Sequence, residues 1–145
     1  TLGLPPATTL VQGTWSLYVM DLHAANRGVI AGGWSITYNT SFFTGTIDAP
    51  ALIPLSGPSS PYPITFDLSR IDPGTRANHV SLEVQMQHGW SDDIHMVLES
   101  PSGTAVILMA NAGGNSALQS TTTIRWTGAL PSPARRAAAP ARQKG

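Results

Sequence analysis

The stretch 79–109, HVSLEVQMQHGWSDDIHMVLESPSGTAVILM, limits what this chain can fold into more than any other. Between residues 80 and 87, Val80, Leu82, Val84 and Met86 alternate with Ser81, Glu83, Gln85 and Gln87. Successive side chains of a strand point to opposite faces, so this period of two predicts a strand with one buried and one wet face. After a break at His88-Gly89-Trp90-Ser91-Asp92-Asp93 the alternation resumes, with Ile94, Met96 and Leu98 inward, His95 and Glu99 outward, and Val97 the exception. Ser100-Pro101-Ser102-Gly103 predicts a tight turn, because Pro presets a negative φ and Gly tolerates a positive one. Residues 105–109 are a continuous apolar run, the signature of a short strand buried on both faces.

The same period recurs elsewhere. Trp15, Leu17 and Val19 share one face of a strand that ends at Asp21, and Trp34, Ile36 and Tyr38 share one face of another. Between them, residues 23–33 read as a loop with room for one bridge at Val29-Ile30. Ile64, Phe66 and Leu68 predict a further strand, closed by the turn tripeptide Asp72-Pro73-Gly74. Thr122, Ile124 and Trp126 predict a last one, after a loop 111–116 whose Gly and Asn residues suit left-handed backbone. Residues 40–63 carry Pro50, Pro54, Pro58, Pro61 and Pro63, which rule out a central strand and predict a linker or a long crossing connection. No window shows apolar residues at helical spacing with caps. Seven or so strands without a helix predict an all-β antiparallel sandwich over residues 1–128, and the aperiodic, proline-containing segment 129–145 predicts disorder.

Composition narrows the function. The chain has 145 residues, enough for one domain that buries about two thirds of its unfolded surface. Residues 1–128 hold all eight acids against four arginines, net −4, and the other four cations lie in the tail. No basic face interleaved with aromatics offers itself to nucleic acid. No run of about 18 apolar residues predicts a membrane span. The lack of cysteine excludes disulfides, thiol nucleophiles and cysteine-based zinc sites. A start at Thr1 without a signal-like segment reads as an excised or processed piece of something longer.

The residues resemble a known family, the P domain that follows the catalytic domain in subtilisin-like proprotein convertases and recurs in bacterial exported proteins. His88, Asp93, Ile94, Ser100, Pro101, Gly103 and Thr104 fall in register with the first half of such a domain, and residues 106–109 with Ala112-Gly113-Gly114 resemble its bacterial continuation. Gly13, Thr14, Trp15, Leu17, Val19, Asp21, Gly28, Gly33, Trp34 and Ile36 resemble the second half. The halves stand in swapped order: 10–40, then the Pro-rich connection 41–63, then 64–128. Two arrangements follow, a circularly permuted module or pieces of two tandem modules. Half a module would leave strand edges and half a core exposed, which favours the permuted one. The resemblance implies a jelly-roll, galactose-binding-domain-like sandwich, extracellular or periplasmic, that stabilises or regulates a neighbouring catalytic domain or docks another protein, without catalysis of its own.

For chemistry, Asp92 and Asp93 beside Asn111 and Asn115 offer hard oxygen donors of the kind calcium takes. The competing reading, preferred because EF-hand spacing is absent, is a polar turn in which Asp93 accepts bonds from backbone amides. No cofactor is required. His88 and His95 lack the HExxH spacing and third ligand of a zinc site, and no GxSxG elbow marks a hydrolase nucleophile. Asp21 reads as a loop organiser first and a ligand second, His23 and His95 as surface imidazoles, and His88 as a cap on the turn it starts or a partner contact. Trp15 and Trp34 read as core. Trp90, in a turn without an alternating partner, reads either as a lid over a strand end or as an exposed ring contacting a partner or stacking on a sugar. A carbohydrate-binding module is therefore the alternative function, since it shares the architecture. Asn39-Thr40-Ser41 is a glycosylation sequon, meaningful only in a eukaryotic secretory protein.

Overall fold

Alternating segments that each own one apolar face must bury those faces against one another, and in this chain they do so as two antiparallel sheets. The computed structural model describes residues 10–38, 41–45, 50–75 and 79–129. In the first sheet β1 (Thr14–Asp21) pairs along one edge with β9 (Ile94–Glu99), which pairs with β10 (Ala105–Ala110). The other edge of β1 carries β6 (Gly57–Pro58) and β7 (Ile64–Asp67) at its two ends. The second sheet is built on β8 (His79–His88), which pairs over its whole length with β11 (Leu118–Ala129). Its opposite edge takes β3 (Trp34–Tyr38) and β2 (Gly28–Ile30), and these take β4 (Ser41–Gly45) and β5 (Ala51–Ile53) in turn. A short 3-10 turn, Ser91–Asp93, joins β8 to β9.

The inward residues of the two sheets meet in one core. Trp15, Leu17 and Val19 of β1, Leu82, Val84 and Met86 of β8, Trp34, Ile36 and Tyr38 of β3, and Ile94, Met96 and Leu98 of β9 are all buried in a single cluster. Trp15 and Trp34 are core residues, as their alternation predicts. Trp34 reaches across the sandwich to Phe66 of β7, ring centroids 5.6 Å apart in an edge-to-face contact. Residues 10–38 and 79–110 thus share both sheets, β1 against β9 and β3 against β8.

Three expectations change. The apolar run 105–109 is not buried on both faces: β10 is an edge strand, and Ile107 is 48% exposed. A bulge between Ile107 and Met109 interrupts its alternation, so that Leu108 and Met109 are both buried. The Pro-rich connection is not bare linker, since it contributes β4, β5 and β6, all of them outer strands where proline is tolerated. Val29-Ile30 is more than a bridge, because β2 pairs with β5 and β8 at once. Among the described residues the strand segments number eleven, the additional ones being short. Asn39, Thr40 and residues 130–145 lie outside the described residues, and with them the sequon's acceptor and the tail.

Gly28 shows how closely β2 lies on β8. A Cβ there would collide with the Gln87 carbonyl oxygen and come 2.6 Å from the His88 ring. Backbone cannot swing aside as a flexible side chain can, so Gly28→Ala is expected to destabilise the fold by about 1–3 kcal/mol, read as a lower urea midpoint at unchanged slope.

Candidate functional site

Period two places Asp21 on the same inward parity as Leu17 and Val19, and His88 on that of Val84 and Met86. Both strands end at one end of the sandwich, and there the two side chains meet: His88 Nε2 lies 3.0 Å from Asp21 Oδ2, both fully buried. A carboxylate can only accept, so Nε2 donates. The other Asp21 oxygen accepts the His23 backbone N–H at 2.9 Å. His88 Nδ1 sits 2.7 Å from the Trp90 carbonyl oxygen and 3.2 Å from the Trp90 nitrogen, and engages one or the other according to whether it carries a proton. One buried pair thereby links the two sheets and sets two turns. Asp21 is the loop organiser expected of it. His88 does brace its turn, and none of its surface reaches solvent.

Around this pair the turn 88–93 is tied down from both sides. The Asp93 carboxylate meets the exposed His23 ring at 3.2 Å, and its carbonyl accepts the Leu22 N–H at 2.9 Å. The Asp93 carboxylate thus lies beside the His23 ring, a contact that the sequence does not suggest. Ser91, which no motif singles out, is buried; its N–H donates to Ser116 O at 3.0 Å and its hydroxyl to Gly114 O at 3.1 Å, holding the 111–116 loop. That loop has the expected left-handed residues, with φ of 47° at Asn111, 103° at Gly113 and 58° at Gly114. Trp90 is 38% exposed, its backbone held by His88 while part of its ring stays open to solvent.

The three residues suggested for calcium divide. Asp93 is engaged by His23, Asn111 is exposed, and Asp92 turns Oδ1 into a buried position where no described donor meets it. Among the described residues no three His, Asp or Glu side chains converge on a point where one ion would sit. Also among the described residues, no helix is long and apolar enough to cross a membrane.

The outer face of the first sheet carries a second feature. The register places Ile107 beside Val97 and Val97 beside Tyr18, and the Tyr18 ring meets Tyr62 edge-to-face at 5.3 Å. Four side chains thus form an apolar row across the sheet, with strands about 4.8 Å apart. Val97, the exception to its strand's alternation, belongs to this row. Its polar border includes Glu99, whose carboxylate lies 3.4 Å from the Tyr18 hydroxyl.

With this geometry in hand, comparison with known families matches residues 77–132 to the model described as the proprotein convertase P-domain. The matched range contains β8 to β11 and with them His88, Trp90, Asp93 and the Ser100-Pro101 turn. It leaves out β1 to β3, which pair with those strands to complete both sheets. Neither the curated proteins nor the solved structures give a match.

Proposed function

Because residues 77–132 match the P-domain, a non-catalytic accessory domain of subtilisin-like convertases, we propose that this chain is an accessory module of a larger exported protein. In this reading it docks on a subtilisin-like catalytic domain of the same parent chain and stabilises or regulates it. The match carries the proposal, and two further points support it. P-domains occur in secreted or exported proteins. The row Ile107, Val97, Tyr18 and Tyr62 gives a rigid sheet face with the apolar centre and polar border of an interface. The reading takes the swapped order as that of one permuted module, and the pairing of β1 with β9 and of β3 with β8 around a single core supports it.

The test is affinity for the catalytic domain encoded in the parent reading frame. Wild-type chain is expected to bind it and to raise its resistance to heat. Ile107→Lys should weaken that binding about tenfold or more, the cost of placing a charge on an interface anchor, and should leave the unfolding temperature of the module within about 2 °C. Absence of binding by wild type would sink the accessory reading. Full-strength binding by Ile107→Lys would move the interface elsewhere. Carbohydrate binding is the second reading, favoured by the part-exposed rings of Trp90 and Tyr62. It requires retardation in a polysaccharide gel that Trp90→Ala abolishes.

A further inference from the structure

A groove of about 620 Å3 opens at the side of the sandwich where β5 of one sheet comes beside β6 of the other. Its lining includes Leu52, Ile53, Leu55 and Pro58, together with Arg27 and Ser60. Leu52 is 60% exposed and Leu55 42%, so two aliphatic side chains of the lining are open to solvent. The volume is that of a ligand cleft rather than a packing defect.

Three observations say what such a groove would take. First, it offers no strand edge: the Leu52 N–H donates to Ser60 O at 3.0 Å, the Ser60 N–H donates to Leu52 O at 2.8 Å, and Leu52 pairs with Val29 on its other side. Recognition therefore falls to side chains and not to an added strand. Second, Arg27 is exposed and forms no ion pair with any described residue. An exposed guanidinium beside an apolar cleft selects a carboxylate, which it binds through two parallel N–H donors. Third, the aliphatic lining beside it selects apolar side chains, whose burial supplies the non-directional part of the affinity.

We propose that this groove binds an extended peptide segment of a partner protein in which a Glu or Asp side chain is flanked by aliphatic residues. The carboxylate lies on Arg27 and the aliphatic side chains on Leu52 and Leu55. Ile107, the far end of the apolar row, lies on the opposite edge strand of the first sheet from this groove.

Isotope-labelled protein titrated with acetyl-Gly-Leu-Glu-Leu-Gly-amide, and in parallel with the peptide bearing Gln in place of Glu, tests this by amide chemical shifts. The Glu peptide is expected to move the amides of residues 27–30 and 52–60 and to bind about fivefold tighter than the Gln peptide, the scale of one exposed charge-assisted contact. Arg27→Gln should erase that preference, and Leu55→Glu should abolish binding of both peptides. Ile107→Lys should leave the titration unchanged, which separates failure of this site from failure of the docking face. Equal affinity for the two peptides, shifts that map elsewhere, a preference that survives Arg27→Gln, or no shift at about 10 mM peptide would each overturn the proposal.

Discussion

Trp15→Ala is expected to lower the thermal midpoint by about 10–15 °C, and the whole sandwich should still unfold in one transition. Trp15 is fully buried, stands opposite Phe66 across the strand pair, and donates its indole N–H to Val11 O at 2.9 Å. Truncating a buried aromatic to alanine costs about 3–5 kcal/mol, part lost burial and part cavity. Leu82→Ala, on β8, should act on the same transition at about 2–5 kcal/mol. The pair of variants tests whether residues 10–38 and 79–129 are one cooperative body. Calorimetry that resolves two transitions, each moved by only one variant, would show two units instead of a single core.

The second large effect belongs to the buried pair at the end of the sandwich. Asp21→Ala strands the His88 Nε2–H with no acceptor where no water reaches, and it also removes the acceptor for the His23 N–H. Leaving a buried polar partner unmatched costs about 3 kcal/mol, or about 10 °C in midpoint for a chain of this size. Asp21→Asn keeps the shape and an acceptor oxygen, so it should lose less than half as much. Urea titration at constant slope measures both. Equal losses in the two variants would mean that a neutral acceptor of the same shape cannot replace the carboxylate, and that the pair depends on its charge.

Much of this architecture is legible in the sequence because a half-buried antiparallel strand writes its burial into alternation. That is why residues 14–21, 34–38 and 80–99 are placed correctly. Residues 105–110 are misread for a specific reason: the bulge after Ile107 breaks the parity on which the reading depends, and an apolar edge residue looks like a core one. β5 and β6, of three and two residues, are too short to express a period at all. Parity does announce that Asp21 and His88 face inward, yet 67 positions separate them, and only the pairing of β1 and β8 with the rest of their sheets shows that they meet. The Arg27 groove is invisible in sequence, since its walls come from a segment whose prolines suggest only a connection.

Every neighbour of β1 within its sheet, whether β6, β7 or β9, is synthesised well after it. No hairpin can shelter Trp15, Leu17 and Val19 while the chain emerges. Ordering must wait for distant partners and repay a large loop-closure entropy, which places folding toward the slow, millisecond-to-second end for a domain of this length. Until β9 arrives, β1 is a sticky strand with an incomplete sheet around it, and the yield on refolding should fall as protein concentration rises.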